Sequence, residues 1–422
     1  LVYGIDPINL NMTATGAPGY IHHVFLSGLQ PNTTYYYKID EEFEQEHNLI
    51  YPNVFNFTTS SSKASIPSFK FAVVGDMQPE NEIMIQQNIL VAKGLLNGNF
   101  NFIFQLGDMA NSGSELEDWH RLFQSYCIVS SHTPTMQAIG NHDWDGGVGS
   151  SNFGVLFPFP YVNQKRGRYY SFDYLNAHII SIDNFERTYS MRKDQIDWLI
   201  NDIQNARSRG QDWIFVMFHL SLITVSTSAH YFDLQKTLVP IFDKYGVDFV
   251  FFEHDHDYQH YNFTYGVNGH LFDPTHNWSH HEIHYFCSGG GGANLEVDYG
   301  VLTMNNRIEQ FQWWNYSKNS YEILTYTKQK WNSFKYYEHP DFSENYTMGG
   351  DHFGKYYYNT PKEQVTDEYA VNEFGFEYAE QTFHYIEIEI NGNQCTISAR
   401  YPNGELIAGP NGLYPQNFTF TK

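Results

Sequence analysis

Five short apolar runs in the middle of the chain each end in an aspartate, an asparagine or a histidine, and this pattern restricts the fold most. The runs at residues 69–74, 100–106, 135–139, 214–218 and 247–252 lead into Asp76, Asp108, Asn141, His219 and His254. Helical periodicity lies between them, around residues 83–96, 196–203 and 234–245. Strands alternating with helices predict a layered α/β domain, whose ligands bind where the strands end.

The side chains at these strand ends are of the kinds that bind transition metals. Carboxylate, amide oxygen and imidazole ligands together favour Zn, Fe or Mn over Ca or Mg. A further histidine, His256, stands two residues after His254 and is assigned to the same set. Two cations about 3.5–4 Å apart can clamp a phosphoryl group and lower the pKa of a bridging water. The sequence therefore predicts a two-metal site for phosphate ester hydrolysis, with Asp108 as the carboxylate shared by both ions.

The order and spacing of these motifs resemble the calcineurin-like metallophosphoesterases, and within them the purple acid phosphatases. The resemblance rests on Gly75-Asp76, Gly107-Asp108, Gly140-Asn141-His142, His219 and His254-Asp255-His256. It implies that Asp76, Asp108 and His256 bind one metal, and that Asp108, Asn141, His219 and His254 bind the other. It also implies an iron paired with Zn, Mn or Fe, although a Zn or Mn pair stays open. By the same resemblance, His142 and, on a looser alignment, His230 contact the substrate phosphate or protonate the leaving group.

The fold expected from this resemblance is an α/β (α+β layered) metallophosphoesterase β-sandwich flanked by helices. A partial fibronectin-like all-β module at residues 1–60 precedes it, with strands predicted at 20–26, 34–39 and 54–58. A Ser/Lys/Pro-rich linker is predicted at residues 61–68, and the metallophosphoesterase domain at 69–422. Residues 305–377 are rich in Tyr and Trp and are interpreted as an insertion into that domain.

Three residues depart from the family pattern and bear on activity. The family places a tyrosine three residues after the bridging aspartate, where this chain has Asn111. Other members of the superfamily use a histidine two residues after the first aspartate, where this chain has Gln78. Glu253 stands where the family has a glycine before His-x-His, and its carboxylate is expected either to bind a metal or to crowd the loop. The first metal site is therefore expected to be weak unless one of these three residues binds the ion, and the protein is expected not to be purple.

Composition and sequence motifs bear on compartment and partners. A net charge of −23 with only 24 basic residues argues against nucleic-acid binding, and no apolar run is long enough to span a membrane. Glycan acceptor sequences favour a secreted or extracellular glycoprotein, with a lumenal or lysosomal location as the alternative. The acceptors are Asn11, Asn32, Asn56, Asn262, Asn277, Asn315, Asn345 and Asn417. The three cysteines allow at most one disulfide, and self-association into a homo-oligomer stays open.

Three functions compete for this chain at the level of sequence. The leading hypothesis is a secreted, metal-dependent phosphoric monoester hydrolase of the acid phosphatase type. A phosphodiesterase or nucleotidase is the second, because the same ligand set serves both reactions. The third is a catalytically impaired glycoprotein that keeps the fold for a structural or interaction role, which the substitutions at Gln78 and Asn111 favour.

Overall fold

The computed structural model describes most of the chain outside the Tyr/Trp-rich segment. The described residues are 1–19, 21–39, 54–62, 68–147, 149–158, 168–184, 191–224, 232–264, 279, 282–295, 310–315, 320–325, 376–380, 382–408, 412 and 415–422. The predicted linker at 61–68 and insertion at 305–377 lie largely outside these ranges, and the domain boundaries stay predictions. No helix in the described ranges is long and apolar enough to cross a membrane.

The amino-terminal residues form a small antiparallel sheet of four strands, in the order β2-β1-β3-β4. Its strands are β1 (Val2–Gly4), β2 (Met12–Thr13), β3 (Thr34–Lys38) and β4 (Phe55–Thr58). The predicted strands at 34–39 and 54–58 are confirmed. The one predicted at 20–26 is wrong in its described part, 21–26, where the chain is irregular. Phe25 is 68% exposed there, so its apolar side chain does not pack into a core as the predicted strand requires.

The rest of the described chain builds two larger sheets that lie face to face. The six-stranded sheet has the order β19-β18-β17-β5-β6-β7, and the seven-stranded sheet has the order β16-β12-β13-β11-β10-β9-β8. The first contains β5 (Ser68–Val74), β6 (Phe102–Gln105), β7 (Thr135–Gln137), β17 (Tyr385–Asn391), β18 (Gln394–Arg400) and β19 (Asn417–Thr421). The second contains β8 (Tyr170–Tyr174), β9 (Ala177–Ser181), β10 (Trp213–Leu220), β11 (Phe249–Glu253), β12 (Tyr258–Thr264), β13 (Glu282–Ser288) and β16 (Phe376–Glu380). A separate hairpin joins β14 (Gln310–Asn315) to β15 (Ser320–Thr325).

Helices follow the parallel strands and cover the outer faces of the two sheets. They are α1 (Glu82–Gly98), α2 (Leu116–Ser130), α3 (Asn141–Trp144), α4 (Gly149–Leu156), α5 (Lys193–Ser208) and α6 (Phe232–Tyr245). Asn81 caps α1 by accepting hydrogen bonds from the backbone N–H groups of Ile83 and Met84. The three helices predicted from periodicity are α1, α5 and α6. The helix α2, which has 15 residues, was not predicted.

One apolar core fills the space between the sheets and another lies under the helices. Between the sheets, Phe71 of β5 meets Phe215 of β10 edge to face, with ring centroids 5.3 Å apart. Under the helices, Val91 and Leu95 of α1 pack on Ala72 and Val74 of β5. Burying both faces of β5 explains why its sequence is a continuous apolar run rather than an alternating one. The expected β-sandwich flanked by helices is confirmed.

Parallel pairing sets the direction of the strands and therefore the position of the site. In one sheet β5, β6 and β7 are parallel, and in the other β9, β10, β11 and β13 are parallel. Parallel neighbours end at the same edge of their sheet, and here the polar strand-end residues of both sheets come together. The strand-end residues are thus brought to one rim of the sandwich, as the sequence predicted.

Candidate metal centre

Three residues that follow strands at the rim adopt the left-handed backbone conformation. The φ angles of Asp76, Asp108 and His254 are 53°, 43° and 81°. Such angles cost non-glycine residues roughly 1–3 kcal/mol each and persist only where surrounding contacts hold them. The contacts are present: the backbone N–H of His254 donates to Asp76 Oδ2 at 2.9 Å, and that of His142 donates to Asp108 Oδ1 at 2.8 Å.

Glycines next to these residues allow the backbones to approach one another closely. A Cβ atom on Gly140 would lie 2.1 Å from both the backbone N and Oδ1 of Asp108. In the loop after β13, a Cβ atom on Gly289 would lie 2.4 Å from Oδ2 of Asp76. Both aspartates are almost fully buried. The rim is therefore so tightly packed that a side chain at either glycine would displace a ligand carboxylate.

Asp108, Asn141, His219 and His254 form one half of the centre. His219 Nε2 lies 3.3 Å from Asp108 Oδ2 and 2.6 Å from Asn141 Oδ1. The His219 and His254 rings meet edge to face with centroids 5.2 Å apart. Ligand atoms of Asp108, His219 and His254 lie within 4.8 Å of one another, close enough for one ion to reach all three. A bulge in β10, between Met217 and Leu220, turns His219 toward this point.

Asp76 and His256 form the other half, beside Asp108. His256 Nε2 lies 3.5 Å from Asp76 Oδ1, close to the roughly 3–3.5 Å separation of two ligand atoms on one ion at about 2.1 Å. Asp76 Oδ1 is buried and accepts no hydrogen bond among the described residues. His256 Nδ1 bonds the backbone carbonyl of Asn294 at 2.6 Å, which leaves Nε2 toward Asp76. The buried Asp76 Oδ1, without a hydrogen-bond donor among the described residues, and the oriented His256 ring are together suited to bind a metal ion.

The three residues that depart from the family pattern lie in different positions. Gln78 is buried, and its Oε1 has no hydrogen-bond partner among the described residues. Asn111 is half-buried, and its backbone carbonyl bonds His142 Nδ1 at 2.7 Å. Glu253 is completely buried, with Oε1 2.7 Å from His219 Nδ1. The atoms of Asp76, His219 and Glu253 form a second group within 4.8 Å, so Glu253 is part of the centre.

The charges of these groups shift one another's protonation. Burial lowers the pKa of His219, but the charges of Asp108 and Glu253 raise it by more. The pKa of His219 therefore lies well above its ordinary value. Burial opposes ionisation of Asp108, but the neighbouring imidazoles, His219 first, hold the pKa of that carboxyl well below its usual range. Burial and the charge of His219 lower the pKa of His254 to about 4. The opposite pKa shifts of Asp108 and His219 share one cause, the short contact between the Asp108 carboxylate and the His219 ring.

Asp143 organises the loops around the centre, and the sequence did not identify it. Its two oxygens accept hydrogen bonds from the backbone N–H groups of Met109, Ala110 and Gly140, at 2.9–3.0 Å. Burial and the charge of Asp108 raise the pKa of Asp143 to about 7 despite these bonds. Asp143 therefore ties the Asp108 loop to the Asn141 loop. The signal in the sequence was its place in Asn141-His142-Asp143, where one polar residue holds the backbone of its neighbours.

The two predicted substrate histidines have different outcomes. His142 lies at the mouth of the centre, with a 41% exposed side chain and Nε2 3.9 Å from Asp108 Oδ2. His230 lies outside the described residues. Among the predicted glycan acceptors, Asn11, Asn32 and Asn417 are exposed and Asn56 and Asn262 are half-buried. Asn315 ends β14, and Asn277 and Asn345 lie outside the described residues. All three cysteines are free thiols.

Comparison with known proteins places this geometry in a family. The calcineurin-like phosphoesterase model matches residues 69–258, and the model of the purple acid phosphatase N-terminal domain matches residues 7–59. By these two matches the chain resembles the purple acid phosphatases within the calcineurin-like metallophosphoesterases. Both models lie where the structure has the metal centre and the small amino-terminal sheet, so the family resemblance seen in the sequence is confirmed.

Individual relatives extend the match beyond the family models. A phosphoenolpyruvate phosphatase of Allium cepa is 24% identical over 79% of this chain and 77% of its own length. A protein of Arabidopsis thaliana named probable inactive purple acid phosphatase 27 is 23% identical over 57% of this chain and 44% of its own length. For most curated relatives the match spans about half of their own length. The solved purple acid phosphatase PPD1 of Lupinus luteus seeds shares the fold, with a TM-score of 0.58 and 15% identity over 97% of this chain and 64% of that one.

Proposed function

We propose that this chain hydrolyses phosphate monoesters at a dinuclear metal centre on the rim of the sandwich. The observation that carries the proposal is an unbroken set of contacts through all six predicted ligands. Asp76 contacts the backbone of His254 and the ring of His256, whereas Asp108 and Asn141 contact His219, whose ring meets that of His254. The backbone carbonyl of Asp108 accepts a hydrogen bond from Met77, next to Asp76, at 3.0 Å, which supports its role as the shared carboxylate.

The chain's own residues divide the work of the reaction. Bound metals would hold the phosphoryl oxygens and supply an activated water as the nucleophile. Asp76, Asp108, Asn141, His219, His254 and His256 would hold the ions. His142 Nδ1 donates its hydrogen to the carbonyl of Asn111, so a proton released by the imidazolium form leaves from the other nitrogen, Nε2. At the exposed mouth of the centre, His142 Nε2 can deliver that proton to the leaving alkoxide.

The decisive experiment combines metal content with turnover. We expect two metal ions per chain and hydrolysis of p-nitrophenyl phosphate across the acid to neutral range, both lost in Asp108→Ala. Asp248→Ala is the matched control, because Asp248 is also a buried aspartate but lies at the amino end of β11 and bonds the backbone N–H of Ile214. It should keep both ions. Full turnover in Asp108→Ala would reject the site assignment.

The competing function is a catalytically impaired glycoprotein. The first metal has only Asp76, Asp108 and His256 from the family set, because Gln78 and Asn111 replace the family's other ligands. One bound ion or none, with no turnover, would support this candidate. Hydrolysis of bis(p-nitrophenyl) phosphate in preference to the monoester would instead support a phosphodiesterase.

We further propose the finer properties that the sequence suggests. The metal pair is Fe with Zn or Mn, or Zn and Mn alone, since the ligands mix imidazole with oxygen. Secretion and glycosylation are supported by exposed acceptors at Asn11, Asn32 and Asn417. Enzymatic removal of N-glycans from protein made in eukaryotic cells, followed by mass measurement, tests this directly. We also propose that the first 60 residues form a fibronectin-like module and that the protein is secreted or extracellular.

A further inference from the structure

Glu253 occupies an unusual position, as a buried carboxylate between the two halves of the centre. It is the last residue of β11, and its side chain is 0% exposed. The side chain crosses to the end of β5, where its Oε2 fills the space beside Gly75. A Cβ atom on Gly75 would lie only 1.1 Å from that oxygen. Glu253 therefore depends on a glycine at position 75.

One oxygen of Glu253 fixes the orientation of a metal-binding imidazole. Its Oε1 lies 2.7 Å from His219 Nδ1, while His219 Nε2 points at Asp108 and Asn141. A carboxylate on one imidazole nitrogen sets the tautomer and leaves the lone pair of the other nitrogen for the metal. It also makes that nitrogen a stronger donor.

The other oxygen of Glu253, Oε2, is buried and lacks a hydrogen-bond donor among the described residues, whereas Oε1 faces His219. No lysine or arginine among the described residues forms a salt bridge with Glu253, and ligand atoms of Asp76 lie within 4.8 Å. A buried carboxylate beside another acid is costly unless a cation lies nearby. Bound metal would supply that cation.

We propose that Glu253 is a positioning residue of the metal centre, which holds His219 through Nδ1 and places a compensating negative charge beside the ions. The proposal rests on the proposed metal-dependent function and adds a residue outside the family's ligand set. Of the three departures from the family pattern, Glu253 is the one that puts an acid rather than a neutral amide next to the metals. A positioning role accounts for that departure. Glu253 thereby strengthens a centre that Gln78 and Asn111 leave short of ligands.

The test compares Glu253→Gln with a matched control, Glu380→Gln. Glutamine keeps the shape of the side chain and an acceptor for His219 but removes the charge. Glu380 is also a buried carboxylate, held by the hydroxyls of Tyr378 and Tyr401 instead of a histidine. Binding of Zn²⁺ and of Mn²⁺ to the metal-free full chain is measured by calorimetry, and Tm is measured with and without metal. We expect Glu253→Gln to weaken binding by about 10–100-fold, with an unchanged or higher metal-free Tm, and Glu380→Gln to bind as the wild type does.

Wild-type affinity for both ions in Glu253→Gln would overturn the proposal, as would an equal loss of Tm with and without metal. Should the variant not fold, the ring nitrogens of His219 in the metal-loaded wild type decide the matter by ¹⁵N NMR. A protonated Nδ1 with a metal-bound Nε2 supports the proposal, and the reverse arrangement refutes it. Failure of the proposed function looks different: the wild type then shows no turnover with metal present, while Glu253→Gln still binds metal more weakly than the wild type does.

Discussion

Substitution of Gly140 by alanine tests how tightly the rim holds its ligands. The backbone of Gly140 has φ −96° and ψ 171°, which alanine adopts without strain. The obstacle is space, because the new Cβ atom would lie 2.1 Å from Asp108 N and Oδ1, and real Cβ contacts do not fall below 3.0 Å. Asp108 must therefore move by about 1 Å. Such a displacement of a reacting group costs on the order of 10²-fold in rate, and overpacking costs about 1–3 kcal/mol of stability.

The assay measures kcat/KM for p-nitrophenyl phosphate, metal content and the free energy of unfolding. Gly210→Ala is the control, because Gly210 has φ 80° but no heavy atom within 4 Å of the new Cβ. At position 210 alanine should cost roughly 1–2 kcal/mol of stability, because the backbone there is left-handed. It should leave the metal centre unchanged. We expect Gly140→Ala and Gly210→Ala to lose similar amounts of stability, and only Gly140→Ala to lose turnover rate. Turnover within threefold of wild type (about 0.7 kcal/mol) in Gly140→Ala would refute the reasoning.

Three further predictions concern the visible spectrum, the effect of Asp143 on metal affinity, and the pH dependence of stability at His178. Metal-loaded protein should show no strong tyrosinate band in its visible spectrum, because Asn111 stands in place of the family's tyrosine; an intense band would contradict this. Asp143→Asn should lower metal affinity, because an amide cannot accept from the three backbone N–H groups that Asp143 binds with two oxygens; unchanged calorimetric titrations would show that the loops hold without it. His178 lies between Asp173 and Asp202 at 2.7 and 2.9 Å; burial opposes but the two carboxylates raise its pKa. His178→Gln should therefore cost about 1–3 kcal/mol below pH 6.5 and less at alkaline pH, as the wild-type imidazolium loses its proton; equal losses at both, in denaturant unfolding, would refute the charge pairing.

Much of the fold could be predicted from the sequence because β5 and its parallel neighbours are buried on both faces. Continuous apolar runs ending in polar residues located β5, β6, β10 and β11 to within a few residues. The missed strands have weaker signals. β12 mixes Gln259, His260 and Asn262 with aromatic residues, and its pairing with β13 decides its conformation rather than its own pattern.

The candidate metal ligands could be located in the sequence because each follows a strand directly, but the residues that support them could not. Asp143 and Glu253 act through contacts between segments far apart in the chain, 34 residues in each case, which no local pattern reveals. Glu253 was expected either to bind a metal or to crowd its loop. The structure gives its carboxylate a histidine partner instead, and that depends on how β10 and β11 are aligned.

The left-handed backbone at Asp76 and Asp108 has a consequence for how such a protein changes over evolutionary time. Asparagine tolerates positive φ about as well as aspartate does, so the backbone conformation alone does not oppose a change from Asp to Asn at these positions. It would even remove a buried charge while abolishing the shared anion of the centre. Backbone conformation therefore does not distinguish the two residue types at these positions, and the demand for metal binding favours the carboxylates. Lineages released from that demand could lose the chemistry quickly and keep the architecture intact.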